Sequence, residues 1–317
     1  MRLAWVLGAR GLLGSAFCRA LSAEGGKLFA PSESFSWTDA PRLALQIRAA
    51  VTEYAAVASQ ASRWEIYWAA GVGTMSSTEE SLAPETRALE QILECIRADV
   101  RLMAMDGTIV FASSAGAIYG ACPDEVITEE SVPTPTNPYA RAKLLQEDLL
   151  RNFCASNPRV GVLLARISTL YGVGQSIGKP QGLLTHMARN IVCNKPIGIY
   201  VPIDTIRDYI FADDTAVEVI QTVRDTLEDR PHAMMRIVAS GRPTTIAEII
   251  SIFKRVAKRS PRITTSASKA SSLYARRVQF CSIAPRGSRP VKVRSLVVGI
   301  AQVLEAERFR HANPDLL

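Results

Sequence analysis

Arg2-Leu3-Ala4-Trp5-Val6-Leu7-Gly8-Ala9-Arg10-Gly11-Leu12-Leu13-Gly14 opens the chain. The apolar run Arg2 to Val6 meets three glycines spaced as GxxGxxG, and Ser15 to Ala23 continues as an amphipathic helix. Strand, turn and helix in that order are the setting of a dinucleotide-binding loop. Glycines there permit a tight turn and bring backbone amides up to a pyrophosphate. The helix N-terminus that follows the turn supplies further N–H donors. The carboxylate that commonly ends the second strand of such a unit and holds the ribose 2′-hydroxyl is missing, since that stretch reads Phe29-Ala30-Pro31-Ser32. Arg10, inside the loop, could instead meet a 2′-phosphate, which favours NADP over NAD. The other reading is a solvated Arg10, with Glu33 or a backbone group serving the ribose.

Working outward, Lys27 to Ala30, Glu65 to Ala70, Thr108 to Ala112 and Val160 to Ile167 read as strands. Between them Arg42 to Val57, Ser81 to Met105 and Tyr139 to Ala155 read as helices. Strands separated by helices of this length predict parallel βαβ crossovers with both sheet faces covered. After Gly172 the alternation weakens. Helices are expected at Leu183 to Cys193, Asp213 to Leu227, Ile246 to Lys258 and Ser295 to Phe309, with strands near Gly198 to Val201 and Met235 to Ala239. The fold class is therefore α/β, a Rossmann-type doubly wound parallel sheet with a smaller mixed α/β C-terminal substrate-binding cap. Residues 1–172 would form the dinucleotide-binding domain, with the chain re-entering it near 200–240, and 173–317 mainly the cap.

Composition agrees with a folded globular protein. Among 317 residues 21% are charged and 48% hydrophobic, which excludes a disordered tail, a collagen-like fibre and a coiled coil. The longest apolar stretches are broken by Arg, Gly or Pro before the ~20 residues of a membrane span, so no membrane association is expected. The opening run, cut by Gly8, Arg10 and Gly11, lacks the form of a secretory signal, and a cytoplasmic location follows. Six scattered cysteines and three histidines make no zinc pattern, and no metal site is expected. The net charge of +7 is concentrated late: from Lys254 onward 14 Lys and Arg face Glu305, Glu307 and Asp315. With no nucleic-acid-binding signature beside it, that excess favours a phosphorylated small molecule over nucleic acid.

A second constellation carries chemistry. Tyr139-Ala140-Arg141-Ala142-Lys143 sets a phenol and an ammonium at i and i+4, one above the other on a helix face. The ammonium can lower the phenol's pKa and hold a nicotinamide ribose, making Tyr139 a general acid/base. Ser113 and Ser114 end the strand upstream, where a hydroxyl can bond the substrate oxygen whose proton Tyr139 moves.

These residues, taken with Trp68-Ala69-Ala70-Gly71, Phe111 to Gly120, Asn137-Pro138, Arg166 to Gly172 and Ile206-Arg207-Asp208-Tyr209-Ile210, resemble the extended short-chain dehydrogenase/reductase family along nearly the whole chain. The resemblance is to its nucleotide-sugar epimerase/dehydratase branch. It implies Ser114, Tyr139 and Lys143 as the catalytic set, with Ser113 as the fallback serine. Cofactor contacts would fall on Gly8, Arg10, Gly11, Leu12, Leu13, Gly14, Ser32, Ala69, Ala70, Gly71, Ala112, Tyr139, Lys143, Arg166, Ile167 and Ser168. Substrate contacts would fall on Ser114, Thr169, Gln181 and Arg207, the last on the pyrophosphate of a nucleoside-diphosphate sugar. Thr169 stands where the family usually has asparagine. The Asp-Glu pair of the family's dehydratases is replaced by Ala115-Gly116, which disfavours dehydration. The implied reaction is nucleotide-sugar epimerisation through a transient 4-keto sugar. An NADPH-dependent 4-ketoreductase or dehydrogenase is the alternative, ahead of a non-nucleotide ketone substrate and a non-catalytic dinucleotide sensor. The matching helices of the family pair two subunits, so a homodimer is expected from Ser81 to Met105 and Tyr139 to Ala155.

Overall fold

The computed structural model describes residues 1–175, 182–227, 231–265, 277–284 and 291–313. Six parallel strands form the main sheet: β1 (Arg2–Leu7), β2 (Lys27–Phe29), β3 (Arg63–Trp68), β4 (Gly107–Ser114), β5 (Val160–Ile167) and, from far along the chain, β9 (Ala233–Val238). Their order is β2-β1-β3-β4-β5-β9. Successive strand residues point to opposite faces, so a sheet covered on both sides needs unbroken apolar runs rather than alternation. Leu3 to Leu7 of β1 and Val160 to Ala165 of β5 are such runs. Leu3, Trp5 and Leu7 join one core with Trp64, Trp68, Phe111 and Leu164, against α2 (Ala40–Ala58), α3 (Glu79–Ala98) and α6 (Pro138–Ala155). Ala4 and Val6 face the other way with Val110, Leu163 and Ile167, against α1 (Leu12–Ala23) and α8 (Ala212–Thr226). The expected α/β doubly wound sheet is thus present.

Beyond β5 the chain builds smaller sheets. β6 (Thr169–Tyr171) lies parallel to β8 (Ile206–Phe211), and β10 (Pro243–Thr245) runs antiparallel on its other side. β7 (Ile197–Ile199) pairs with β11 (Ile263–Thr265). A separate core of Tyr171, Met187, Phe211, Phe253 and Ile300 joins them to α7 (Leu183–Val192), α9 (Ile246–Ala257) and α10 (Leu296–Ala312).

Two sequence readings need correction. The helix expected over Ser81 to Met105 breaks at Asp99, whose extended backbone (φ −90°, ψ 108°) lets its carboxylate accept from the Arg101 and Leu102 N–H groups and start a new turn, α4 (Val100–Met103). β8 was not read as a strand, because Arg207 and Asp208 interrupt its apolar pattern. α3 and α6 pack on the sheet through Leu82, Leu89, Ile92, Leu150 and Phe153. Outward the two helices show Arg87, Glu94, Arg97, Arg141, Leu145 and Asp148. Among the described residues, no helix is long and apolar enough to cross a membrane.

Candidate active site

The strand order reverses beside β1: β2 lies on one side and β3 on the other. Loops leaving the carboxyl ends of strands diverge at such a point and open a crevice. Gly8 stands there with φ +84°, and a Cβ on it would come within 2.7 Å of the Ala69 carbonyl and the Ala70 nitrogen. Only glycine combines that backbone with that approach. Gly11 donates its N–H to the Gly8 carbonyl (2.8 Å), closing the turn, and then caps α1 without a side chain. No acidic residue occupies the first turn of α1. The N–H groups there face the crevice with the helix's partial positive charge, while Leu13 is buried in the core and Leu12 packs beside it. These features fit a dinucleotide pyrophosphate. Gly14 packs directly on the Gly8 carbonyl, and Arg10 is exposed at the rim.

At the end of β2 the structure adds a residue that the sequence reading missed. Glu53, on α2, accepts from the Ser32 N–H (3.0 Å) and hydroxyl (2.5 Å), and these bonds hold its carboxyl below the usual range. Ser32 is therefore tied to α2. Glu33, the other ribose candidate, pairs with Arg42 at 2.6 Å.

The acid/base residues are set by a helix start. Asn137 is the N-cap of α6, its side chain accepting from the Ala140 N–H (3.0 Å), and Pro138 fills the first helical position. Tyr139 follows in the first turn and Lys143 one turn later. A Cβ on Gly73, in the loop after β3, would lie 3.1 Å from the Tyr139 ring. Ser114 ends β4, half-buried, next to the phenol, and the single-turn α5 (Ala115–Ile118) follows it. Lys143 is 5% exposed, and its Nζ lies 4.8 Å from the centre of the Phe111 ring and 5.8 Å from that of Tyr139.

Glu85 completes this group and was not singled out from sequence. It comes from α3, and Lys143 Nζ donates to its Oε1 at 2.9 Å with both side chains less than a tenth exposed. The electrostatics differ from the simple Tyr–Lys expectation. Burial pushes the Tyr139 phenol above its ordinary value; Lys143 pulls it down, Glu85 pushes it up, and Ser114 pulls it down. The sum is upward, so Lys143 does not bring the phenol towards neutrality in this arrangement. Burial pulls the Lys143 ammonium down, but Glu85 and Tyr139 outweigh it, and the net shift is upward.

Two residues expected at the cofactor have side-chain partners within the fold. Arg166, 3% exposed, donates from Nε and Nη2 to the two oxygens of Glu147 (3.0 and 2.6 Å) and from Nη1 to the Tyr119 hydroxyl (2.6 Å). The guanidinium is bonded within the fold rather than turned to the crevice. Ser113 donates to the same Glu147 carboxylate at 2.6 Å, which leaves Ser114 as the strand-end hydroxyl available to a substrate. Ser168 donates to Asp208 at 2.6 Å, and Asp208 also accepts from the Ser240 N–H and hydroxyl and from the Arg242 N–H. Asp208 thereby fastens the end of β5 to the loop after β9. Ile167 is buried in the core and Ala112 packs beside it.

Of the residues expected to meet substrate, Thr169 is exposed at the start of β6 and Gln181 lies outside the described residues. Register places Thr169 opposite Tyr209, on the same face of the small sheet as Arg207 two residues before it. Arg207 Nη1 donates to the Ile206 carbonyl at 2.7 Å. Burial raises the Tyr209 phenol to about 12, with Arg207 pulling the other way.

With this geometry in place, comparison with known proteins is direct. The model of the NAD dependent epimerase/dehydratase family matches residues 4–234. The chain belongs to that family. A reductase of Escherichia coli, dTDP-4-dehydro-6-deoxyglucose reductase, is 32% identical over 142 residues, 45% of this chain and 43% of the relative. A UDP-glucose 4-epimerase of Oryza sativa is 30% identical over 173 residues, 50% of this chain and 47% of the relative. The chain thus spans somewhat under half the length of these family members. Solved structures share the whole fold. Pseudomonas aeruginosa RMD complexed with NADPH has a TM-score of 0.78 at 20% identity, covering 98% of this chain and 100% of that one. Thermus thermophilus UDP-glucose 4-epimerase in complex with NAD has 0.77 at 19%, covering 97% and 99%.

Proposed function

We propose that this family member is a nucleotide-sugar epimerase that works through a transient 4-keto sugar, with Tyr139 as the group that moves the proton. The observation that carries the reading is the convergence of Ser114, Tyr139 and Lys143 beside a glycine-lined crevice at the sheet's switch point. The Gly8–Gly14 turn and the start of α1 hold the pyrophosphate of the nicotinamide cofactor. When bound, that cofactor supplies the acceptor and donor of hydride. Ser114 donates to the sugar oxygen and fixes it near Tyr139 Oη. Tyr139 takes the hydroxyl proton as the alcohol becomes a ketone and returns it to the same oxygen afterwards. Between the two transfers the keto sugar turns over in the site and presents its other face.

A second reading, net reduction of a 4-keto sugar, uses the same residues and is favoured by Arg10. That cation stands exposed at the loop's rim, where a 2′-phosphate would approach. Arg10→Ala is expected to weaken NADP by about 1–3 kcal/mol and NAD hardly at all, as read by calorimetry. Equal losses on both would remove Arg10 as the discriminator. The two reactions separate cleanly if the purified protein is stripped of cofactor, reloaded with NAD, and offered nucleoside-diphosphate hexoses without added NADPH. Epimerisation under those conditions supports the first reading, and conversion only with stoichiometric NADPH replaces it with the second.

Arg207 tests the substrate class. In this reading it pairs with the sugar-nucleotide pyrophosphate, and removing one charge-assisted partner costs about 1.5–3 kcal/mol, roughly 10- to 150-fold in affinity. Titration of UDP, dTDP, GDP, CDP and ADP into native protein and Arg207→Ala should show that loss on at least one of them. If none binds the native protein, or the variant binds as tightly, the substrate is not a nucleoside-diphosphate sugar.

A further inference from the structure

Three carboxylates are buried near the carboxyl edge of the sheet, and they are used differently. Glu147 spends both oxygens on Arg166 and takes the Ser113 hydroxyl as well. Asp208 accepts four hydrogen bonds from Ser168, Ser240 and Arg242. Glu85 gives Oε1 to Lys143 and leaves Oε2 buried with no hydrogen-bond partner. A carboxylate kept to hold the fold would be bonded as fully as the other two, because a buried oxygen without a donor costs about 1–3 kcal/mol. The surroundings of Glu85 are those of the reaction. A Cβ on Gly71, at the crevice end of β3, would lie 2.9 and 3.1 Å from its two oxygens. Its cation is the lysine beside Tyr139.

We propose that Glu85 is a positioning residue that neutralises Lys143 and so holds back ionisation of Tyr139, whose phenol must release its own proton to solvent before it can take one from an alcohol. This deepens the proposed function and rests on it for the role of Tyr139. Among the described residues, the charged groups that act on the phenol are Lys143 on its own helix and Glu85 on α3; β4 brings the Ser114 hydroxyl, and Gly73 in the loop after β3 lies against the ring. Lys143 in turn faces Glu85, Tyr139, the Phe111 ring and, one turn along α6, Glu147. One ammonium is therefore shared between a carboxylate already in contact and a phenolate that would have to form. Protonation favours returning a proton to a ketone oxygen over taking one from an alcohol. The alcohol-oxidising half of the reaction is then the half that gains as pH rises, since the phenolate fraction grows with pH.

The test needs neither cofactor nor sugar. Phenolate absorbance in the ultraviolet is followed with pH in the native protein and in Glu85→Gln, and Tyr139→Phe is made in each background so that the difference isolates Tyr139. Glu85→Gln is nearly isosteric and removes only the charge; the titration of Tyr139 should fall by about one pH unit or more. Glu85→Asn serves if the glutamine variant does not fold, and should shift it the same way. Tyr139 titrating at the same pH with and without the Glu85 charge overturns the proposal. So does the lack of any Tyr139 phenolate in all variants up to the pH at which circular dichroism shows unfolding. Where a turnover assay is established, the rising limb of the alcohol-oxidising rate should move to lower pH in Glu85→Gln, a change that mere loosening of α3 would not give. A shifted titration with no nucleotide-sugar activity would leave Glu85 in its place and remove the proposed substrate.

Discussion

Tyr139→Phe is expected to lower turnover of a nucleotide sugar by about 10²- to 10⁴-fold, the range contributed by one positioned acid/base group, while leaving cofactor affinity within a few-fold of native. The substitution removes one oxygen from a ring that remains held between Gly73 and the first turn of α6. The loss should fall on kcat rather than on KM for the sugar nucleotide, because the bond between Tyr139 and the sugar oxygen matters most as the proton moves. Lys143→Ala gives the contrast. It removes the cation beside Tyr139, which the proposed reaction also sets against the cofactor ribose, and leaves Glu85 buried without its ion-pair partner. Its defect should therefore include cofactor affinity and thermal stability. A Tyr139→Phe protein that retains more than a few per cent of native turnover would take Tyr139 out of the proton-transfer role.

How much of this site was legible in the sequence depends on how far each contact reaches along the chain. The glycine turn is local: Gly8, Gly11 and Gly14 act on one another and on the strand and helix they join, so their spacing carries the reading. Tyr139 and Lys143 are four residues apart on one helix, and Asn137-Pro138 marks where that helix begins. Glu147 lies one further turn along, in the same row as Tyr139 and Lys143, yet nothing local says that it would meet Arg166, which comes from the next strand. For that reason resemblance assigns Arg166 to the cofactor, while its guanidinium bonds to Glu147 and Tyr119 within the fold. Glu85 was hidden for a related reason. In a helix whose first turns read Glu79-Glu80-Ser81-Leu82-Ala83-Pro84-Glu85, one more glutamate looks like part of a solvated face, and only the packing of α3 against α6 turns it toward Lys143. β8 failed for the opposite reason. Its Asp208 breaks an apolar pattern, but four donors from elsewhere in the chain satisfy the carboxylate and allow it to be 1% exposed.

The Glu147–Arg166 pair carries the largest stability effect expected here. Glu147→Ala should cost about 3–5 kcal/mol of unfolding free energy, because it leaves a guanidinium 3% exposed without a counter-charge. Burial alone pulls that guanidinium's pKa down, and it is Glu147, with Tyr119, that turns the net shift upward. Denaturant unfolding followed by circular dichroism would measure the loss. Glu147→Gln keeps the shape and should fall between native and alanine. Replacing both partners with apolar residues, as in Glu147→Leu with Arg166→Met, should recover much of the alanine loss, because no buried charge then remains unpaired. Recovery of stability need not restore activity. The pair joins α6 to β5 and, through Ser113, to the last residues of β4, so it sets the distance between the strand end that carries Ser114 and the helix that carries Tyr139. The double apolar variant should therefore stay folded with reduced kcat. If it is both stable and fully active, the ion pair serves only the fold, and the spacing of Ser114 and Tyr139 is set by the backbone of β4 and the cap of α6.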